Sequence, residues 1–289
     1  MAEIEPVLLW IESRPTNGGT AMPLDPSLAA LLTTVEASPR AVAAHDRAAW
    51  VDLFTEDAEI DDPVGSRPHI GRAAIERFYD TFIGPNTITF HVDRDLLHPP
   101  TVLRDLTIET TMSTGATVFV PMHLRYRLVE RDGGWQIAHL AAHWELGSMI
   151  RRLLRTGSPG IAAALKLGPQ LLVNQGFGGM LGLMRALGGV GRGGKRATTR
   201  VFAAAASTDL ARVRELLGNR ADIELPVGTP VSAEEFTNRA RNMRWSKVIA
   251  AGRTVTASVR LGNAPGVAVV EFATDSNRIA TIRFHLAAV

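Results

Sequence analysis

Residues 58–65 read Ala58-Glu59-Ile60-Asp61-Asp62-Pro63-Val64-Gly65, and residues 221–228 read Ala221-Asp222-Ile223-Glu224-Leu225-Pro226-Val227-Gly228. On a strand, alternate side chains share a face. Ala58, Ile60 and Asp62 therefore point one way and Glu59 and Asp61 the other, and the apolar residues mark the buried side. Ala221, Ile223 and Leu225 repeat the pattern, so a slot that takes leucine in one stretch takes a carboxylate in the other. An ionised carboxylate among apolar groups is costly unless paired, and burial raises its pKa. Such a group is suited to work as a general base. Pro63 holds the residue before it extended. The alternative is that Asp62 caps the Pro-Val-Gly turn with its side chain.

Outward from these stretches the likeness continues at a constant offset of 163: Asp46 meets Asp209, Ala48 meets Ala211 and Leu53 meets Leu216. Near the end of each half, Ile137-Ala138 and His143 correspond to Ile279-Ala280 and His285. An internal repeat implies two copies of one unit. The expected organisation is an N-terminal extension at 1–24, a first unit at 25–146, a cationic Gly-rich helical linker at 147–196 and a shorter, degenerate copy at 197–289. In the first unit, Asp25-Pro26 opens a helix, a second helix is expected from Arg40 to Phe54, and a short one from Ala73 to Phe82. A strand begins near Ala58. Alternation at 87–97, 105–112, 116–130 and 135–146, with a hairpin at Asp132-Gly133-Gly134, adds an antiparallel meander. The expected fold is α+β: two cone-shaped, curved antiparallel sheets, each with helices on one face.

Composition bounds the chemistry. With 46% hydrophobic and 21% charged residues in 289, the chain can bury two cores. The absence of cysteine excludes disulfides, thiolate metal sites and a cysteine nucleophile, and it fits a reducing compartment. The acidic start, Met1-Ala2-Glu3-Ile4-Glu5, shows no signal peptide, so a cytoplasmic location is expected. The net charge of +2 hides an asymmetry: residues 146–208 carry nine basic and no acidic residues, leaving 22 basic and 29 acidic residues elsewhere. Phosphate loops, dinucleotide fingerprints and Ser-His-Asp patterns are absent, and no cofactor is expected.

The run Asp62-Pro63-Val64-Gly65, followed by Gly71-Arg72, Ile75 and Phe78-Tyr79, resembles the steroid Δ-isomerases (ketosteroid isomerases) of the nuclear-transport-factor-2-like superfamily. The spacing from Asp46 to Tyr79 fits that family without a gap, and the end strand Ala142-His143-Trp144 is also similar. The resemblance covers residues 25–146. It implies that Asp62 moves a proton between two carbons of an enone. Tyr79, Phe54 and Trp144 would line an apolar pocket, with Ile60 and Phe78 as further substrate contacts. The family also has an oxyanion hole, a tyrosine on the first helix and a protonated aspartic acid on a central strand. Those positions fall at Ser38 and at Arg125 or its neighbour, so neither donor is retained. Tyr79, Tyr126 or Arg125 would have to rebuild the hole, although Arg125 shares the outer parity with His123 and Arg127.

Leu225 in the base slot and Leu286 in place of Trp144 predict that the second copy is non-catalytic and packs against the first as an intramolecular pseudo-dimer, unless the protein forms a homodimer. His123, His139 and His143 have no metal-ligand spacing, so no metal is expected. In the linker, Met149, Ile150, Leu153 and Leu154 form an apolar stripe opposite Arg151, Arg152 and Arg155. Residues 147–196 are read as covering the pocket, docking on the acidic units or touching a membrane surface. Nucleic acid is excluded as a partner for want of aromatic interleaving. The function expected is an isomerase-like shift of a double bond in a steroid or similar lipophilic enone. The alternatives are a non-catalytic carrier of apolar ligands, polyketide cyclisation or epoxide hydrolysis in the same pocket.

Overall fold

Two aspartates fix where the chain breaks between helices. Asp46 accepts a hydrogen bond from Ala49 N–H and Asp209 from Arg212 N–H, both at 2.9 Å, and each caps a short helix. The residues before them, His45 and Thr208, turn the chain at φ 52° and 61°. The architecture around these turns comes from a computed structural model that describes residues 26–158, 160, 162, 188–218 and 221–287.

Helix α1 spans Pro26–Ala43 and α2 spans Arg47–Val51. A helix starting at Arg40 is therefore incorrect: α1 runs through Pro39. Leu31, Val35, Ser38 and Val42 are buried and form one stripe at helical spacing, so core packing on both sides of the proline outweighs its missing hydrogen bond. Strands β1 (Phe54–Asp61) and β2 (His69–Ile70) follow, then α3 (Arg72–Phe78), which runs into a π turn at Tyr79–Ile83. A meander completes the first sheet: β3 (Asn86–His98), β4 (Thr101–Met112), β5 (Thr117–Arg131) and β6 (Gly134–His143). Asp132 and Gly133 both have positive φ, 52° and 77°, as the tight β5–β6 hairpin requires.

The first sheet has the order β2-β1-β6-β5-β4-β3. It is not wholly antiparallel as expected, because β1 and β6 pair in parallel. The α3 crossover carries the chain to the far edge, and four strands of meander bring it back beside β1 in the same direction. Register shifts in β3 and at Arg127/Leu128 bend the sheet. Its inner face packs with α1, α2 and α3 around Leu31, Trp50, Ile75, Leu106, Leu128 and Ile137.

Helix α4 (Leu146–Arg155) leaves the first sheet. Helices α5 (Gly191–Ala206) and α6 (Leu210–Leu217), strand β7 (Asp222–Glu224) and helix α7 (Ala233–Arg239) precede a second meander. That meander is β8 (Arg244–Ala251), β9 (Thr254–Leu261), β10 (Ala264–Phe272) and β11 (Ile279–Leu286). The order is β7-β11-β10-β9-β8, again with one parallel pair. The parallel registers correspond: Ile60 lies opposite Leu140, and Ile223 opposite Ile282. A unit boundary at 196/197 falls inside α5, whose buried Val201, Phe202 and Ala205 belong to the second core, so the helix starts earlier than expected. The extension at 1–24 and the uncharged run at 167–184 lie outside the described residues. Among the described residues no helix is long and apolar enough to cross a membrane.

The outer faces of the two sheets meet. Leu96 and Leu103 pack with Val267 and Val269. Lys247 Nζ donates to Asp93 at 2.7 Å and to Asp105 at 2.6 Å, while Ser258 Oγ donates to Asp105 at 2.7 Å. His123, fully buried, lies 2.7 Å from Thr256 Oγ1 and 3.1 Å from Ser258 Oγ. Since Ser258 gives its proton to Asp105, His123 Nε2 donates to Ser258 and Nδ1 accepts from Thr256. Burial drives His123 toward this neutral form against the pull of Asp105. At the rim the turns at Gly65 and Gly252 touch backbone to backbone. A Cβ on Gly65 would lie 2.4 Å from Gly252 Cα, and both glycines have positive φ, 94° and 54°.

Gly65→Ala is therefore expected to destabilise the protein by about 1–3 kcal/mol. Gly115→Ala, at a similar φ of 82° but with nothing within 4 Å of its Cβ, should carry only the conformational part. Thermal unfolding of both variants checks this. Equal losses would contradict the contact between the two turns.

Candidate active site

Strand β1 delivers its side chains as the alternation requires. Ala58 and Ile60 are fully buried, and on the other face Asp61 Oδ2 accepts a hydrogen bond from His139 Nε2 at 2.9 Å. Asp62 continues the inner parity. Val64 N–H then donates to Ala142 O at 2.9 Å, which ties the turn after Asp62 to β6, two residues before Trp144.

Inside the first sheet is a cavity of about 190 Å³. Its walls are mostly apolar: Val42, Phe78, Phe82, Phe90, Met122 and Leu140 contribute, and Leu146 and Met149 of α4 form part of the enclosure. Asp62 is the one carboxylate among the described lining residues. Its Oδ1 accepts a hydrogen bond from Trp144 Nε1 at 2.6 Å. Burial pushes the Asp62 carboxyl up to about 7; the Trp144 bond opposes the rise and the Asp61 charge adds to it. A proton acceptor poised near neutrality needs this balance of desolvation and one donor.

Three hydroxyl-bearing residues also line the cavity, Ser38 from α1, Thr110 from β4 and Tyr126 from β5, together with the amide of Asn86. Ser38 Oγ accepts from Trp50 Nε1 at 3.1 Å, and its hydroxyl favours the ionised form of the Tyr126 phenol. Burial pushes the Tyr126 phenol up to about 12, although the Arg104 cation pulls it down, so at neutral pH it is a proton-bearing donor. Arg104 is itself buried and held by Asp95 through two hydrogen bonds of 2.6 and 2.9 Å.

Of the residues singled out in the sequence, Asp62, Phe78, Tyr126 and Trp144 converge on this cavity. Phe54, Ile60 and Tyr79 do not line it. Phe54 and Tyr79 pack behind Trp50, with ring centroids 4.8 and 5.6 Å from it, and the Tyr79 hydroxyl is buried without a hydrogen-bond partner. Tyr79 therefore supports the wall from behind, while Phe78 and Phe82 line the space. Arg125 lies on the outer face near Glu271 and Arg283 of the second sheet. The sequence reading missed Trp50 and Arg104 as neighbours of the site and treated Ser38 only as a lost tyrosine. The burial stripe of α1 was the signal available for Ser38.

The three imidazoles on the outer face do not converge. His123 bonds the second sheet, His139 bonds Asp61, and His143 is buried with neither ring nitrogen partnered. Glu59, Asp61 and His139 do bring one ligand atom each within 4.8 Å of one another, and two of the three are joined by the His139–Asp61 hydrogen bond. In the second sheet, Leu225 is fully buried in the apolar core with Ile223, Phe236 and Phe284, and Leu286 packs against it.

Residues 35–140 match the SnoaL-like domain family. A steroid Δ-isomerase from Nocardioides simplex is 32% identical over 112 residues, which is 38% of this chain and 85% of that protein. Among solved structures, the Δ5-3-ketosteroid isomerase from Mycobacterium sp. is 29% identical, covering 41% of this chain and 95% of its own, with a TM-score of 0.38. A Mycobacterium tuberculosis protein solved in complex with estradiol-17beta-hemisuccinate is 28% identical, with the same coverage and the same TM-score of 0.38.

Asp62 generates a linkage with a definite sign. Its folded pKa of about 7 lies above the unfolded value of about 4, so its protonated form favours the fold and its contribution to stability is lost as pH rises from about 4 through 7. Asp62→Asn, with no charge to bury, is expected to be more stable than the parent at pH 8 by roughly 2–4 kcal/mol and nearly equal to it at pH 4. Denaturant unfolding at the two pH values reads the difference. Removing the indole donor with Trp144→Phe should raise the Asp62 pKa further.

Proposed function

This chain belongs to the SnoaL-like, nuclear-transport-factor-2-like family that includes the steroid Δ-isomerases, and from that premise we propose that it is an isomerase acting on a steroid or similar lipophilic enone. The observation that carries the proposal is one carboxylate, poised near neutrality, in a mostly apolar cavity. Asp62, ionised, takes a proton from the carbon between the carbonyl and the isolated double bond. The electron pair moves into a dienolate, and negative charge collects on the carbonyl oxygen. The Asp62 carboxylic acid then returns the same proton to the far alkene carbon, which leaves a conjugated enone and a regenerated base. No net proton enters or leaves, and no cofactor is required.

Charge on the dienolate oxygen needs donors placed in advance. Tyr126, beside Ser38, is the donor assigned to this role among the polar groups of the cavity, and it would replace the tyrosine and aspartic acid that the family resemblance led one to expect at Ser38 and Arg125. Trp144 keeps the Asp62 carboxylate oriented, and Phe78 and Trp144 supply apolar contact. A second reading, a carrier of apolar ligands without turnover, is favoured by that same substitution of donors.

We also read the two sheets as copies of one unit, the second having lost its base to Leu225. This is supported by the matched caps at Asp46 and Asp209, the matched parallel pairs and the corresponding registers. The outer face of the first sheet, covered by the second, is then satisfied within one chain as a pseudo-dimer.

The rise of enone ultraviolet absorbance from a Δ5-3-ketosteroid tests the activity. Asp62→Asn should lower the rate about 10²–10⁴-fold and Tyr126→Phe about 10²–10³-fold. Leu225→Ala should destabilise by about 2–5 kcal/mol and leave turnover per folded molecule unchanged. Tight steroid binding with no turnover in the parent protein would favour the carrier.

A further inference from the structure

The helices beside the cavity carry a charge pattern that neither catalysis nor folding uses. Helix α4 turns Leu146 and Met149 into the cavity and buries Leu153. Its other side is exposed and carries Arg151, Arg152 and Arg155, with Leu154 standing 48% exposed among them. Helix α5 lies next to it: Lys195 pairs with Glu145 at the start of α4, and Lys195 and Arg152 line one cleft. The outer side of α5 adds Arg192, Arg196 and Arg200 at a four-residue spacing. Among the described residues none of these six arginines has an ion-pair partner within 4.0 Å, whereas arginines elsewhere, such as Arg47, Arg72, Arg104 and Arg283, do.

No acidic residue occurs between positions 146 and 208, so the cations are not neutralised by their own helices. A solvated face that needed only polarity would mix signs, and several like charges on two adjacent helices repel one another. The pattern fits a large anionic surface. Exposed Leu154 among arginines, on a helix whose opposite side closes an apolar cavity, fits a lipid bilayer better than a nucleic acid, since no aromatic side chain is exposed on either helix to stack on bases.

We infer that α4 and α5 form a docking face for anionic lipid bilayers, which brings the cavity beneath α4 to the surface where a lipophilic substrate is dissolved. The loading role rests on the reading of the cavity as a lipophilic-ligand site; the docking face rests on the arginines and exposed Leu154.

Co-sedimentation of the full chain with phosphatidylglycerol–phosphatidylcholine vesicles tests the docking face. Binding is expected at low ionic strength, with loss in high salt and none to pure phosphatidylcholine. Arg151→Glu/Arg152→Glu/Arg155→Glu should weaken partitioning by roughly a hundredfold or more. Arg127→Glu/Arg241→Glu/Arg278→Glu, which changes net charge equally on other surfaces, should change it little. Circular dichroism checks that each variant is folded, and Arg192→Glu/Arg196→Glu/Arg200→Glu probes the same face independently if the α4 variant is not. No binding to anionic vesicles, equal loss in the control variant, or retention of single-stranded RNA without vesicle binding would overturn the inference. Steroid binding, read in solution by tryptophan quenching, separates the two claims. Vesicle binding without it refutes the cavity reading alone, and steroid binding without vesicle binding refutes the docking face alone.

Discussion

Among the described residues the Asp62 carboxylate accepts one hydrogen bond, at 2.6 Å from Trp144 Nε1, in a cavity whose walls are mostly apolar. That one donor decides the chemistry of the cavity. With an adjacent cation the carboxyl would titrate in the ordinary acid range and make a poor proton acceptor at neutrality. With no donor it would stay protonated. The fold keeps cations away by parity. Arg125 and Arg127 alternate with Leu124, Tyr126 and Leu128 along β5, so the charged set faces outward. Arg104, on the inner side of β4, is committed to Asp95.

Sending polar groups outward creates a second requirement, since the outer face of the first sheet is then too polar to be a core and too buried to be a surface. The second sheet meets it with matching groups. Thr256 and Ser258 satisfy His123, Lys247 satisfies Asp93 and Asp105, and Val267 and Val269 cover Leu96 and Leu103. The match extends to the rim, where Gly65 and Gly252 allow the turn that follows Asp62 to rest against the second sheet. The second sheet thus acts on the site indirectly, by holding the face opposite to it.

Much of this was legible in the residues. The alternation of Ala58, Ile60 and Asp62 placed Asp62 on the inner side, because period-2 burial depends only on the strand. The constant offset between Asp46 and Asp209, and between Pro63 and Pro226, marked two stretches that build the same cap and the same turn. Other features were not legible, for physical reasons. Periodicity says which residues are buried, not which of them bound empty space, so Phe54, Ile60 and Tyr79 were placed with the lining residues although they pack behind it. Local propensity put a helix boundary at Pro39, where a tertiary stripe of buried residues carries the helix through. Glycines at 191, 193 and 194 read as linker, yet they open α5, where Gly194 lies close against Val190 and Val255. Sequence pattern also gives no strand direction, which is why the parallel pairing of β1 with β6 was missed.

The central claim is that Asp62 is a carboxyl group held near neutrality by an apolar cavity and one indole donor. Infrared difference titration of its carboxyl stretch, parent protein against Asp62→Asn, reads that group directly. The account predicts that the band of the protonated acid persists at pH 6 and disappears with a midpoint near pH 7. A midpoint near pH 4, the ordinary value for an aspartic acid in water, would contradict it.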